Sequence, residues 1–396
     1  MSEVKSQNKN WNKVKLGEVL EITSSKRIFM SEYKKFGVPF YRGKEIIEKH
    51  NGVKEISMPL YISEKKYLEI KNKFGIPKEN DILLTSVGTL GYPYLVKKND
   101  KFYFKDGNLT WFRKFSNTVD QKYIFYWIRS PIGKNTILSS SIGSSQAALT
   151  IDGLKKLEIL LPSGNEQKRI ASILSTFDDK IELNNKISKN LEAMAQAIFK
   201  EWFVNFKLPG HEKLKMVDSE LGKIPEGWKM KNVMEIVRRI SVSKKYENKT
   251  ALLSGKVPIL DQGQSGCIGY HNNEPGVIAS MGNPVVVFTN HTCNYRLITY
   301  PFSAIQNVLP YVGISGYPTL FVYYLTRNKI KMQEYKGHWP EFEQQEFIVP
   351  PHALAEEYSV FIKPMVQKMV KTENENQKLA ALRDLLLPKL MSGEIV

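Results

Sequence analysis

Glu158-Ile159-Leu160-Leu161-Pro162 (EILLP) returns 188 residues later as Glu346-Phe347-Ile348-Val349-Pro350 (EFIVP). The same shift, with no gap, carries one row of apolar residues onto another. Ile170, Leu174, Phe177, Ile181, Leu191 and Ile198 fall on Tyr358, Ile362, Met365, Met369, Leu379 and Leu386. Because self-similarity at a fixed shift indicates duplicated structural units, we predict a chain built twice, in the order globule, arm, globule, arm.

Weaker matches join the two segments that precede the arms. Trp11, Leu16, Glu18 and Val19 correspond to Trp228, Val233, Glu235 and Ile236, and Val38-Pro39-Phe40 corresponds to Val257-Pro258-Ile259. Leu83–Gly88 resembles Val277–Gly282. The shift varies among these matches because the connecting loops differ in length. We therefore predict globular domains at residues 1–164 and 206–354, followed by arms at residues 165–205 and 355–396.

The arms have the periodicity of helices that pack along a seam. Steps of four and three residues connect Ile170, Leu174, Phe177, Ile181, Asn184, Ser188, Leu191, Ala195 and Ile198, which is the spacing of a coiled coil. Asn184 and Ser188 interrupt this apolar seam, and their counterparts in the second arm are Thr372 and Asn376. An ordinary amphipathic pair within a bundle is the alternative. The ungapped duplication favours two matched helices that pack on each other.

The start and the continuity of these helices can also be predicted. Ser163 and Glu166 have the spacing of a capping box at the start of the first arm. Pro364 would remove a backbone hydrogen bond from the middle of a helix. We therefore expect a short leading helix in each arm, then a break, and then a long helix of roughly 25 residues, about 38 Å.

The globules have the pattern of mixed α/β domains. Short β-rich runs at Asp81–Thr85, Phe102–Phe104, Leu109–Phe112 and Val285–Thr289 are separated by Gly, Pro and Asn turns. Tyr123–Arg129 and Leu320–Thr326 form a matched pair that is either helical or a pair of buried strands. The predicted fold class is thus α/β (α+β), with two domain copies separated by long helices.

The charge of the chain follows the same alternating plan. The 396 residues carry 57 Lys and Arg against 40 Asp and Glu, a net charge of +17. Residues 1–164 have a net charge of +12 and residues 203–354 of +5, whereas residues 165–202 and 355–396 are neutral. Polyanions attract such a chain without any sequence readout. A basic soluble protein with no nucleic-acid partner is the alternative interpretation of the charge alone.

Other global features favour a cytoplasmic protein. No stretch approaches the roughly 18 apolar residues of a membrane span, and Met1–Asn12 does not resemble a secretory signal. The two cysteines, Cys267 and Cys293, form no disulfide framework, which fits a reducing compartment.

The sequence contains near-matches to catalytic motifs, but each differs from the motif at a position that the chemistry requires. Gly37–Glu45 differs from a phosphate-binding loop by one extra residue and by a final Glu. Gly282-Asn283-Pro284-Val285 has Val where an amino-methyltransferase has a second proline. Cys267, His271, His291 and Cys293 lack the spacing of known metal motifs, and their convergence on a metal is an unfavoured alternative. We expect no catalysis and no metal site in this chain.

Four motifs, in the right order, carry a resemblance to one family. They are Leu221–Trp228 (LGKIPEGW), Asn165–Ile170 (NEQKRI) with Asp179–Asn185 (DKIELNN), Trp202-Phe203, and Leu385–Ile395 (LLLPKLMSGEI). Together with the internal repeat, they make the chain similar over nearly its whole length to the specificity subunits of type I restriction-modification systems.

The resemblance implies a division of labour. Each globule would be a target recognition domain that reads one half of a bipartite, asymmetric DNA site, and the helices would form an antiparallel spacer. Two methyltransferase subunits would dock on the helices, and two restriction/translocase subunits can join them. S-adenosylmethionine and ATP with Mg²⁺ would bind to these partners and not to this chain. The alternatives are a specificity subunit that serves a fused methyltransferase-nuclease, and a basic nucleic-acid-binding scaffold.

Candidate residues for both roles lie at corresponding places in the two halves. The DNA-binding candidates are Lys26, Arg27, Tyr41, Arg42, Lys44, Ser86, Thr89, Ser145 and Gln146 in the first globule, and Lys244, Lys245, Gln262, Gln264, Ser280, Asn283, His338 and Trp339 in the second. Arg42 is the strongest, because arginine pairs bidentately with guanine; a solvated surface role is the alternative for each lysine. The spacer and partner-docking candidates are Ile170, Leu174, Phe177, Ile181, Asn184, Leu191, Ile198, Ile362, Met365, Met369, Thr372, Leu379 and Leu386.

Overall fold

The computed structural model describes residues 11–52, 56, 59–143, 147–219, 222–263, 266–332, 334 and 336–395. The chain divides into two compact units. The first consists of Met1–Glu182 with Asn376–Val396, and the second of Leu183–Glu375. We call residues 11–162 the first domain and residues 216–350 the second domain. Within the part of the chain that the structure describes, none of the helices combines the length and the apolarity needed to span a bilayer.

The described residues of the first domain form nine strands and six short α-helices. The strands are β1 (Asn12–Lys15), β2 (Glu21–Thr23), β3 (Val38–Tyr41), β4 (Leu60–Ile62), β5 (Ile82–Thr85), β6 (Pro93–Leu95), β7 (Tyr103–Phe104), β8 (Leu109–Arg113) and β9 (Glu158–Leu161). The helices are α1 (Leu16–Val19), α2 (Gly43–His50), α3 (Glu64–Phe74), α4 (Gln121–Arg129), α5 (Pro131–Ser139) and α6 (Ile151–Lys156). The long helix α7 (Gly164–Phe203) follows. The four predicted β-rich runs are strands, and Tyr123–Arg129 lies within a helix.

After an additional hairpin, the second domain repeats this order of strands, with fewer helices among its described residues. Its strands are β10 (Met216–Ser219), β11 (Gly222–Pro225), β12 (Lys229–Asn232), β13 (Val237–Arg239), β14 (Val257–Leu260), β15 (Cys267–His271), β16 (Val285–Thr289), β17 (Tyr295–Ile298), β18 (Ser303–Ala304), β19 (Val308–Gly313) and β20 (Glu346–Val349). Its helices are α8 (Val233–Ile236), α9 (Thr319–Thr326) and α10 (Trp339–Glu343), and the long helix α11 (His352–Met391) follows. Single 3₁₀ turns lie at Met30–Glu32, His211–Lys213 and Asn248–Thr250.

The two domains have the same sheet topology. A four-stranded sheet has the order β2-β8-β5-β6 in the first domain and β13-β19-β16-β17 in the second. A three-stranded sheet has the order β4-β3-β7 and β15-β14-β18, and in both its central strand pairs antiparallel on one side and parallel on the other. β1 pairs with β9 as β12 pairs with β20. The duplication predicted from the sequence is therefore confirmed.

One of the predicted correspondences is wrong. Leu83–Gly88 resembles Val277–Gly282 in sequence, but β5 and β16 occupy the same position in their sheets. The counterpart of Ser86, which follows β5, is thus Asn290, which follows β16, and not Ser280. The hydrogen bonds agree, because the Ser86 amide donates to Asn108 O at 2.9 Å and the Asn290 amide donates to Asn307 O at 2.9 Å.

The central strands β5 and β16 are apolar up to a final threonine because each separates two cores. Ile82 and Leu84 of β5 pack into the cluster that includes α4 and α7, whereas Leu83 packs against the three-stranded sheet. Val286 and Phe288 of β16 belong in the same way to one core, and Val285 and Val287 to another. Successive side chains of a strand point to opposite faces. A strand that is covered on both faces therefore buries the side chains of both faces, which favours apolar residues.

The expected break in the long helices is also wrong. Helices α7 and α11 each run for 40 residues, and α11 continues through Pro364. Pro364 is exposed, and so is Val360, whose carbonyl loses its hydrogen-bond donor and can bind water instead. Buried Ile362 and Val366 hold the helix on either side of the proline. The predicted capping box is present, with the Ser163 amide donating to Glu166 Oε2 at 2.9 Å.

The helices pair antiparallel along the predicted seam. In the second unit, Asn184 Nδ2 donates to Glu375 Oε2 at 3.0 Å, Ser188 Oγ and Thr372 Oγ1 are 2.7 Å apart, and Tyr358 donates to Ala195 O at 3.0 Å. In the first unit, Arg383 donates to Asp178 at 2.5 Å. Seam residues from Ile170 to Ile198 are buried or half-buried. Two polar interruptions of the seam, Ser188 and Thr372, are therefore paired with each other, and a third, Asn184, is paired with Glu375.

Candidate nucleic-acid interface

In the first domain, three loops meet where β5 ends. The Ser86 amide donates to Asn108 O in the β7–β8 turn, and Ser86 O accepts from the Leu149 amide at 2.8 Å. Ile142 and Ala148 exchange backbone hydrogen bonds of 2.9 Å and so close the loop before α6. Among the predicted residues, Thr89 is exposed on this cluster, whereas Ser145 and Gln146 lie outside the described residues.

In the second domain, the corresponding loops are joined by side chains. Gln262 Oε1 accepts from the His291 amide at 3.0 Å, and Thr292 Oγ1 donates to Gln262 O at 2.9 Å. His291 Nδ1 donates to Lys336 O at 2.9 Å, and the Trp339 amide donates to Asn290 Oδ1 at 2.8 Å. The loops after β14 and β16 and before α10 thus form one polar surface. The predicted Gln264 lies outside the described residues.

Sequence reasoning missed the central residues of this second cluster. Asn290, Thr292 and Asn294 follow directly after the buried strand β16, and Asn307 lies in the adjacent β18–β19 turn. Ser280 and Asn283, which were predicted instead, form a tight exposed turn in which each backbone amide bonds to the other residue. The sequence signal for the loop that corresponds to the one after β5 was the run Thr289–Asn294, which is rich in amide and hydroxyl groups.

Arg42, the strongest candidate from the sequence, is engaged within the domain. Its backbone amide donates to Glu45 Oε2 at 2.7 Å, and its Nη2 donates to Glu45 Oε1 at 2.5 Å. The Glu45 side chain is fully buried, whereas 35% of the Arg42 side chain is exposed. The hydrogen bond with Glu45 raises the pKa of the Arg42 guanidinium. Arg42 therefore balances a buried carboxylate at the start of α2.

This arrangement predicts a stability effect for Arg42→Ala. The change removes the guanidinium and leaves the Glu45 carboxylate bonded only by a backbone amide, at a cost of about 2 kcal/mol. Chemical denaturation would measure this loss in the free energy of unfolding. Lys44→Ala is the matched control, because Lys44 is exposed and lies 3.8 Å from Glu48. Equal stability of the two variants would contradict the structural role of Arg42.

Four other predicted residues are buried within the domains. Tyr41 stacks on Phe102 at 4.7 Å between ring centroids, and burial raises its pKa to about 12. Ser86 Oγ lies 2.6 Å from Thr110 Oγ1. His338 and Trp339 bond to Glu341 and Glu343 within α10. Their side chains hold the loops in place and do not form the outer surface.

The remaining candidates are exposed or half-exposed. In the first domain these are Lys26, Arg27, Lys44 and Thr89, and in the second Lys244, Lys245, Gln262, Ser280 and Asn283. Arg27 Nε donates to Asp106 at 2.9 Å, which places it on the β7–β8 turn beside Asn108. Among the residues described, His, Cys, Asp and Glu side chains nowhere form a group of three that could hold a metal ion. His271 is instead 2.9 Å from Ser303 Oγ.

Comparison with known proteins identifies the family. Residues 8–193 match the family described as type I restriction modification DNA specificity domain. The MjaIX type I restriction enzyme specificity subunit of Methanocaldococcus jannaschii is 26% identical over 347 residues, which are 79% of this chain and 77% of the relative. This chain belongs to the type I specificity subunits.

Further relatives agree with this assignment. A putative type I restriction enzyme specificity subunit of Haemophilus influenzae, S.HindORF215P, is 32% identical over 179 residues, which are 45% of this specificity subunit and 42% of the relative. The crystal structure of the S subunit of a type I restriction-modification system from M. genitalium has the same fold, with a TM-score of 0.58 and 17% identity over 98% of this chain and 97% of that one.

The specificity subunit anchors each domain to α7 through a tyrosine and an arginine spaced three residues apart. In the first unit, Tyr126 and Arg129 of α4 donate to Asp178 Oδ2 at 2.7 and 2.9 Å. In the second unit, Tyr324 of α9 donates to Glu192 Oε2 at 3.1 Å, and Arg327 pairs with Glu192 Oε1. The two helices form a matched pair in the sequence, but their polar contacts with α7 were not predicted from it.

Proposed function

We propose that this specificity subunit is the DNA-recognition component of a type I restriction-modification complex, in which each domain reads one half of a bipartite, asymmetric site. One observation carries the proposal: the same scaffold presents different polar groups at the same place. Thr89 is exposed and Asn108 half-exposed in the loops at the end of β5, whereas Asn290 and Asn307 are half-exposed in the corresponding loops at the end of β16. Base edges are distinguished by patterns of donors and acceptors, so two different sets favour two different half-sites.

The charge distribution supports the same function. The excess of Lys and Arg lies in the two segments that contain the domains, and the helical segments are neutral. Cations on the domains would contact phosphates and fix the register, while the polar loops would read bases. We expect binding that is strongly dependent on salt.

We propose that the catalytic steps belong to partner subunits. S-adenosylmethionine would bind to two methyltransferase subunits, and ATP with Mg²⁺ to restriction/translocase subunits where these are present. Two features of this chain support the division. Residues 38–41 of the near-match to a phosphate-binding loop form strand β3, so Gly37 lies before this strand and Lys44 lies beyond it, in α2. Asn283, within the near-match to a methyltransferase motif, forms a tight turn with Ser280.

The test of function is the mapping of methylated adenines. The specificity subunit would be expressed with its neighbouring methyltransferase subunit in a host that lacks adenine methylation, and the host genome sequenced for the modified base. We expect two short half-sites around a fixed gap. The same host without the specificity subunit is the control. Methylation at a single uninterrupted site, or none from an assembled complex, would contradict the proposal.

The long helices provide a surface for the methyltransferase subunits. In the first unit, Leu382 and Leu385 of α11 are 48% and 60% exposed, and in the second unit Val360 and Phe361 are exposed as well. These residues were not among the docking candidates from the sequence, which lie in the seam between the helices. Large apolar side chains on a helix surface indicate a protein contact where they cluster.

Replacing Leu382 and Leu385 with Gln should therefore weaken assembly. Burial of each leucine contributes up to about 1.5–3 kcal/mol, so we expect the dissociation constant for the methyltransferase subunit to rise tenfold or more. Analytical ultracentrifugation or titration calorimetry would measure it. Leu68→Gln, which changes a half-exposed leucine of α3, is the matched control. An unchanged dissociation constant in the double variant would exclude this face of α11 from the interface.

A further inference from the structure

Each domain exposes large apolar side chains on the same connecting segment. Between β2 and β3, Phe29, Met30 and Phe36 are 62%, 83% and 83% exposed. Between β13 and β14, Leu252 and Leu253 are 47% and 102% exposed. These connections are topologically equivalent, since each leads from the four-stranded to the three-stranded sheet. Exposure of this kind, repeated in both copies, indicates a binding surface.

The same two segments are strongly basic. Residues 24–36 contain Lys26, Arg27, Lys34 and Lys35 against the single carboxylate of Glu32, which pairs with Lys66 at 2.9 Å. Residues 241–256 contain four lysines against Glu247. The cores of protein–protein interfaces are depleted of lysine, so the charge favours a polyanion over a protein as the occupant.

Both segments begin beside the polar loop clusters. In the first domain, the Lys26 amide donates to Tyr103 Oη at 2.7 Å, and Arg27 pairs with Asp106 in the turn that also bonds to Ser86. In the second domain, Lys245 forms a bridge to Ala304, which pairs with Leu260, the last residue of β14 before the Gln262 loop. A duplex on the polar loops would therefore reach these segments.

The base of the first segment is held in place. The Lys34 amide donates to Tyr61 O at 2.9 Å, and the Tyr33 ring lies 5.3 Å from that of Phe40. Phe36 thus extends from an ordered backbone, so little conformational freedom is lost when it binds.

We propose that residues 26–36 and 244–253 are DNA wedges, in which lysine and arginine contact phosphates while the apolar side chains press between base steps and bend the duplex. The inference rests on the proposed function, since the duplex is the one that carries the recognised site. Proteins that insert Phe, Leu or Met between base steps offset the unstacking energy by wrapping more DNA surface. Here the two wedges would act on the two half-sites of one duplex.

The test uses the complex with the methyltransferase subunit and a duplex that carries the methylated motif. We expect the variant Phe29→Ser, Met30→Ser, Phe36→Ser to bind this duplex at least roughly tenfold more weakly, with a smaller DNA bend by end-to-end fluorescence energy transfer. The slope of log K against log salt should change less than in a lysine variant, because no cationic side chain is removed. In contrast, Lys34→Gln with Lys35→Gln should reduce that slope by roughly two. Ile132→Ser, at an exposed position on α5, is the control.

The outcomes separate the inference from the proposed function. If the unaltered complex has no preference for the motif, the proposed function fails. If it binds the motif but the triple variant matches Ile132→Ser in affinity and bend, the wedge is refuted. If the triple variant loses the methyltransferase subunit, the surface is a protein interface and the wedge is refuted as well. Reduced affinity and bend in an intact complex support it.

Discussion

Exchange of residues 11–162 for the corresponding domain of another specificity subunit should replace one half of the methylated motif and leave the other half unchanged. The physical reason is the closure of the domain on itself: β1 pairs with β9 from Asn12 to Leu161. A cut at residue 155 would fall within α6 and separate these strands. A cut after Pro162 transfers the whole sheet and leaves α7 intact. The donor domain should carry a tyrosine and an arginine at the positions of Tyr126 and Arg129, so that Asp178 keeps its partners.

Sequencing of methylated adenines would measure the result. The reciprocal exchange of residues 216–350 is the matched control, and it should change only the other half-site. Replacement of both halves by a single exchange would contradict the assignment of one half-site to each domain. A change in the length of the gap would show that the domain also contributes to the spacing.

Asp178→Ala should cause a large loss of stability in the first unit. The carboxylate accepts hydrogen bonds from Tyr126, Arg129 and Arg383, and the two arginine side chains are only 16% and 14% exposed. Removing it leaves two nearly buried cations without their shared partner, at a cost of about 3–5 kcal/mol. Urea denaturation followed by tryptophan fluorescence would measure the free energy of unfolding. The neighbouring exposed carboxylate provides the control variant Asp179→Ala, which should be close to the unaltered protein.

The pH dependence distinguishes charge from packing. Burial alone would raise the pKa of Asp178, but Arg129 and Arg383 outweigh it and hold the pKa below its ordinary value. A carboxylate with a depressed folded-state pKa stabilises the fold above its unfolded pKa of about 3.9 and loses that contribution as the pH falls through the folded value. The difference between the unaltered protein and Asp178→Ala should therefore be constant from about pH 5 to 8 and shrink below about pH 4. A constant difference down to acid pH would assign the effect to packing.

The duplication and the helix seam could be predicted because both depend on the spacing of residues along the chain. Glu158–Pro162 and Glu346–Pro350 became β9 and β20 with their following turns, and the seam residues are buried or half-buried in α7 and α11. Such patterns depend on local geometry, namely the period of a helix and the alternation of a strand. They hold wherever the chain can bury the apolar face they create.

The candidate interface was harder to predict because it depends on which strands are neighbours. Ser280 was paired with Ser86 on the strength of similar residues, whereas the strand order makes Asn290 the counterpart. Arg42 has the sequence context of an exposed base-reading side chain, but the start of α2 brings Glu45 to it. Tertiary contacts decide whether a polar side chain faces solvent or a buried partner. These contacts cannot be deduced from the type of the residue alone. Pro364 shows the converse, since solvent exposure let a helix keep a residue that normally ends it.

The core of the first unit also sets an order of events during synthesis. Leu387, Leu390 and Met391 are buried there together with Leu84, Trp127 and Ile170, so this core cannot close until the ribosome has passed residue 391. The second unit, Leu183–Glu375, is complete in sequence earlier. The domain that is translated first thus completes its core last. At ~5–20 residues per second, its apolar face stays uncovered for on the order of 10 seconds or more, until Leu387, Leu390 and Met391 have been synthesised. A nascent chain that stops early would carry that face uncovered, which offers chaperones and proteases a means to distinguish it from a finished chain.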